Sequence, residues 1–166
     1  MNVGDLPKFF GLPATNQEFE KFLSDNGIEE RPAFDPETGN PSEMIELPES
    51  GLALEFIRPG AFAKKFGPVR EEGDMIFSRI FVYLVPEDDY AAYSGTWPSP
   101  FPVSITPDAC LASFGKPDRV RDENDDFGQP NNIEYTWDLV NGYSIFVRFI
   151  KVPPEARHVV VTPAKG

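Results

Sequence analysis

A Ser-His or Cys-His nucleophile system would have a single histidine, His158, and a single cysteine, Cys110, to draw on. A Ser-His or Cys-His system needs a base beside its nucleophile, and no nucleophile-elbow motif is present. Cys110 falls on the apolar side of a short helical pattern, which predicts a small buried hydrophobe. His158 sits in the strand-like stretch "RHVVVTP" (157–163), where an edge-strand role is the simpler reading. The stretch "RDENDDFG" (121–128) invites a calcium loop. With Asp122, Asn124 and Asp126 at positions 1, 3 and 5, position 6 is Phe127, where the turn demands glycine. Position 12 is then Ile133 instead of glutamate. A solvated loop is the plainer explanation. "GDLPKFFG" (4–11) lacks the spacing and the Lys-Ser/Thr ending of a phosphate loop. Together these residues predict a non-enzymatic protein without metal or cofactor.

Acidic residues beside aromatic ones remain as interaction candidates. One group is Glu87, Asp88, Asp89 and Tyr90, continuing to Tyr93 and Trp97; the other is Asp122, Glu123, Asp125 and Asp126. Tyrosine and tryptophan offer rigid contact area, and flanking carboxylates can meet Arg or Lys on a partner. The competing reading is that the three rings pin a linker to the rest of the fold. The second group is expected on a loop between a helix and a hairpin.

Net charge is −12, from 27 acidic and 15 basic side chains, and the acidic excess is ten over residues 1–95 and two over the remainder. Such a field repels nucleic acid and anionic lipid and attracts basic proteins. No apolar run approaches the roughly 20 residues of a membrane span, and Met1 is not followed by a secretory signal pattern. A single cysteine excludes an internal disulfide. These features point to the cytoplasm.

The elements that must position these residues are marked in the sequence. In "LPATNQEFEKFLSDNGIEE", Thr15 can cap a helix with Glu18 three residues on. Phe19, Phe22 and Leu23 then share one face, and Gly27 stops it. In "SITPDACLASFGKPDRV", Thr106 caps, Pro107 takes the first helical position and Gly115 ends the helix. Strand pairs follow at 43–57 and at 133–150, the second turning at Asn141-Gly142. Third strands are expected at 75–85 and 157–163. Thr15 to Thr106 and Gly51 to Gly142 both span 91 residues, which suggests an internal duplication. The expected fold is α+β: two related units, 1–95 and 96–166, each a short helix on an antiparallel sheet of about three strands, in one body. The first carries an insertion at 58–74 that either lengthens the hairpin or forms a short helix.

"ITPDACLASFGKPDRV", followed by "YTWDLVNGYSIFVRF", resembles a bacterial pattern found in the outer-membrane-assembly lipoproteins and in tandem inhibitors of the beta-lactamase inhibitory protein type. The architecture is also similar to that of immunity proteins of bacterial toxin systems, which often carry a linker like "YAAYSGTWP". The resemblance implies a protein that works by binding another protein. Without a signal sequence or lipid-accepting cysteine, the lipoprotein reading gives way to an immunity protein. Such a protein neutralises a basic toxin by stoichiometric binding. An adaptor or structural domain of a larger assembly is the alternative.

Overall fold

The computed structural model describes residues 1–123, 132–140, 142–151 and 154–164. Among the described residues, seven strands form one continuous antiparallel sheet: β1 (Ser42–Leu47), β2 (Leu52–Ile57), β3 (Ile76–Tyr83), β4 (Arg119–Glu123), β5 (Asn132–Val140), β6 (Tyr143–Lys151) and β7 (Pro154–Pro163). Their spatial order is β1-β2-β3-β7-β6-β5-β4. The last strand in sequence therefore joins the two halves of the sheet, through pairs such as Phe81–Val160 and Tyr83–His158. The fold is α+β, as the patterning predicts. The sheet and its main core run without a break across residue 95, and the second run contributes four strands instead of three.

Alternation along the strands separates two faces. One carries Leu54, Phe56, Phe77, Val82, Val161, Val147, Phe149 and Trp137, all in a single buried cluster. Onto this face pack α1 (Gln17–Asp25), α3 (Pro107–Phe114) and two N-terminal 3-10 turns at Val3–Asp5 and Pro7–Phe9. Phe9 and Phe19 stack with ring centroids 4.4 Å apart, and Phe19 also meets Phe77 at 5.1 Å. Trp137 donates from Nε1 to the Gly115 carbonyl at 3.0 Å, tying β5 to the end of α3.

Besides His158, which stands on the central strand β7 and not on an edge as expected, two local expectations need correction. The α1 cap is Asn16, not Thr15: its side-chain oxygen accepts from the backbone N–H groups of Glu18 and Phe19. Glu18 then stands one position too early to close a capping box and instead pairs with Lys8 at 3.3 Å. Thr106 caps α3 as expected, accepting from Ala109 N–H. Secondly, the polar stretch after α3 begins with edge strand β4, so Asp122 and Glu123 stand on a strand and not on a loop. Its charged residues hid it, yet charge on an edge strand is what discourages pairing with another chain.

The 58–74 insertion forms a helix, α2 (Pro59–Phe66), which lies over one end of the opposite face. Phe62 packs there against Ile57 and Ile76. The connection between β3 and α3 packs down as its aromatics suggest. Tyr93 meets Trp97, Trp97 stacks on Phe101, Phe101 meets Phe114, and Phe114 meets Trp137. Gly51 makes this possible. It turns with φ +66°, and a Cβ there would come within 2.5 Å of the Ala91 carbonyl oxygen.

Candidate functional site

The face of the sheet away from α1 and α3 is the candidate site. Register places one side chain from every strand in a single row across it: Glu46, Ala53, Phe81, Val160, Phe146, Thr136 and Arg119. A second row carries Tyr83, His158, Arg148 and Glu134 on β3, β7, β6 and β5. Two of the three register shifts in the described sheet, those in β3 and β7, shape this face. At the first, Ser78 is the extra residue, which keeps Phe77 in the core while turning Arg79 outward. The Ser78 hydroxyl lies within hydrogen-bond reach of the Glu55 carbonyl and carboxylate, at 3.1 and 3.0 Å, and Arg79 pairs with that carboxylate at 3.3 Å. At the second, Arg157 is the extra residue between the Arg148–His158 and Phe149–Ala156 pairs.

The first acidic group and the described members of the second, Asp122 and Glu123, lie at the same end of the sheet. In the antiparallel order, β3 and β4 run the same way with three strands between them, so their C-terminal ends share one edge, roughly 19 Å apart at about 4.8 Å per strand. Glu87, Asp88 and Asp89 follow β3 in a tight turn closed by hydrogen bonds between Glu87 and Tyr90 in both directions. Asp88 takes the left-handed conformation there, φ +51°, which a short acidic side chain tolerates better than most. Asp88 and Asp89 are exposed and make no ion pair among the described residues. Glu46 and Glu49, at the C-terminal end of β1 and in the turn after it, add two more exposed carboxylates at this end.

The aromatic members are built in more deeply than the acids. Tyr90 stacks on Tyr83 at 4.1 Å. Burial, with Glu46 and Tyr83 adding to it, pushes its phenol up to about 12. The Tyr93 hydroxyl accepts from Val3 N–H at 3.2 Å and donates to the Thr96 carbonyl at 3.1 Å, so this ring anchors the N-terminus to the connection. Trp97 is half-buried between Tyr93 and Phe101. Tyr93 and Trp97 thus act as packing residues, while Tyr90 stays close to the acidic turn. In the second group, Asp122 pairs with Lys151, Glu123 ends β4 opposite Asn132, and Asp125 and Asp126 lie outside the described residues.

Between the two groups the sheet carries charges the sequence did not single out. Glu134 is only 4% exposed and is held by Arg148 through Nε at 2.9 Å and Nη2 at 2.6 Å. His158 Nε2 lies 2.7 Å from Glu87 Oε2, though neither atom forms a well-aligned hydrogen bond. The available signal was register: in "YSIFVRFI", alternate residues Ser144, Phe146 and Arg148 face away from the core.

Burial holds the His158 imidazole below its ordinary value of 6.5; Glu87 pulls the other way, and Arg148 and Arg157 push it down further. The folded chain therefore takes up this proton less readily than the unfolded chain. The resulting stabilisation is complete above pH 6.5 and declines as pH falls below it towards the folded-state value. The variant His158→Gln is expected to show a shallower loss of stability below pH 6.5 in urea unfolding at stepped pH. An identical slope in both proteins would contradict this assignment.

Among the described residues, no group of three or more His, Cys, Asp or Glu side chains is placed to hold a metal ion. Cys110 is buried on α3, and burial pushes its thiol up to about 12, far from a nucleophile's range. Among the described residues, no helix is long and apolar enough to cross a membrane. No protein-family model, curated protein or solved structure matches the chain.

Proposed function

We propose that this protein works by binding another protein, and that it is a cytoplasmic immunity protein: a stoichiometric inhibitor holding a cognate toxin with a basic surface. The observation that carries the reading is the gathering of exposed carboxylates at one end of the open sheet face. Asp88 and Asp89 project from a turn anchored by Tyr90, with Glu46 and Glu49 alongside. Carboxylates on a fixed turn lose little conformational freedom on meeting arginine or lysine. The net charge of −12 adds long-range attraction for a basic partner. Fast association suits an inhibitor, which must reach its target before substrate does.

The architecture fits an inhibitor assembled from two related helix-and-strand units, whose combined sheet offers a wider surface than one unit would. Helices followed by antiparallel strands, and left-handed glycines at the Gly51 and Gly142 turns, support that origin.

The test is capture from host lysate at low salt with elution by rising salt, followed by binding assays of the captured partner against wild type and Asp88→Lys/Asp89→Lys. A basic toxin held one-to-one, whose toxicity is relieved on co-expression, is the expected result. A constitutive assembly component with no growth rescue would favour an adaptor instead.

A further inference from the structure

Over the middle of the open face, beside the overhanging α2, lies an open groove of about 580 Å³. Its composition departs from that of the chain. In a protein with 27 carboxylates, none of those among the described residues lines this cavity, whereas Lys65, Arg79 and Arg119 all do. The floor is the transverse row Phe81, Val160 and Phe146, contributed by three adjacent strands and about 10 Å across. Phe66 of α2 closes the apolar side.

The cations are only partly satisfied by the protein. Arg79 meets Glu55 through Nε and Nη1, and Arg119 meets Asp138 through Nη2. Each guanidinium therefore keeps N–H groups that no described residue engages. Lys65 is exposed and makes no ion pair or hydrogen bond among the described residues, and the Thr136 hydroxyl likewise has no hydrogen-bond partner among them. The cavity thus joins an apolar floor to spare cationic and hydroxyl donors, in a volume within the range of about 300–1,000 Å³ usual for small-molecule sites.

We propose that this cavity binds a small amphipathic organic anion: an apolar body of one or two rings on Phe81, Val160 and Phe146, with its carboxylate among Lys65, Arg79 and Arg119. The apolar floor supplies burial without directionality. The donors fix which end of the ligand is charged, and inorganic anions lack the part the floor would hold. This site extends from the middle of the face towards α2, away from Asp88 and Asp89, and does not depend on the partner reading.

The test titrates the full chain with naphthalene-2-carboxylate, with the neutral naphthalene-2-carboxamide, and with inorganic phosphate. Calorimetry gives the affinity and backbone amide NMR shifts give the location. The carboxylate is expected to bind one-to-one with shifts at Lys65, Phe81, Phe146 and Val160. The carboxamide is expected to bind at least about tenfold more weakly, since hydrogen bonds to a charged group are the stronger class. Phosphate should not saturate. Lys65→Glu, a change at an exposed helix position that leaves the core intact, should weaken the carboxylate by about tenfold or more, and Asp88→Lys/Asp89→Lys should leave it unchanged. Equal binding of acid and amide, shifts centred elsewhere, saturable phosphate binding, an unaffected Lys65→Glu, or no binding would each overturn the proposal.

Discussion

Replacing Phe19 by alanine is expected to destabilise the protein by about 3–5 kcal/mol, at the upper end of core truncations. Phe19 is fully buried and is the ring on which α1 is fixed to the sheet. Phe9 stacks on it at 4.4 Å, Phe77 lies at 5.1 Å and Phe56 at 6.0 Å, so N-terminal turn, helix, β2 and β3 meet at this one side chain. Truncation removes transfer energy and leaves a cavity whose walls are rigid strands on one side, so collapse can fill little of it. Set against a total stability of about 5–15 kcal/mol for typical domains, the loss is large. The midpoint of thermal unfolding should fall on the order of 10 °C. Phe19→Leu, which keeps most of the volume, should cost much less. A loss below about 1 kcal/mol for the alanine variant, outside the range for a buried ring, would mean that α1 does not pack as described.

The second large effect concerns the buried ion pair. Arg148→Ala is expected to cost about 2–3 kcal/mol, somewhat below the 3–5 of a fully enclosed pair. Glu134 has almost no access to water, while about a third of the Arg148 side chain keeps it. Removing the guanidinium strands a carboxylate on the sheet with both its strong donors gone. The cost should therefore come mostly from the orphaned charge and not from the lost attraction. Arg148→Met combined with Glu134→Leu separates the two, because it removes both charges while keeping apolar bulk. The double variant should recover most of the stability in urea unfolding at neutral pH. If it were as unstable as Arg148→Ala, the lost packing of the arginine stem would outweigh the stranded charge.

How much of this was legible follows from which signals are local. The caps of α3, the Gly142 turn and the strands around it were readable because each is set within a few residues. Even there, competition between neighbours intervened: Thr15 and Asn16 can both cap, and only the backbone decides that Asn16 reaches the N–H groups of Glu18 and Phe19. β4 was missed because "RVRDE" has no apolar alternation; an edge strand over a short polar span needs none. The pairing of β3 with β7 joins residues nearly 80 apart, and neither strand names its partner.

The candidate site was half legible for the same reason. The acidic turn at 87–89 is visible as a run, and its position at one end of the sheet follows from strand direction. That Asp122 and Glu123 share this end could not be read, since it depends on the number of strands between β3 and β4. The groove beside α2 was invisible, because Lys65, Arg79 and Arg119 come from three distant segments and meet only through the sheet register.

The most direct test of the central claim is the affinity of the captured partner for wild type and for Asp88→Lys/Asp89→Lys, measured at low and at high salt. Both residues are exposed on a surface turn, so the variant should keep its fold. The account predicts one-to-one binding to a basic toxin, a loss of about tenfold or more in the variant at low salt, and a smaller difference at high salt as screening rises. Equal affinities for the two proteins at low salt would contradict it, and would place the partner's contact away from the acidic end of the sheet.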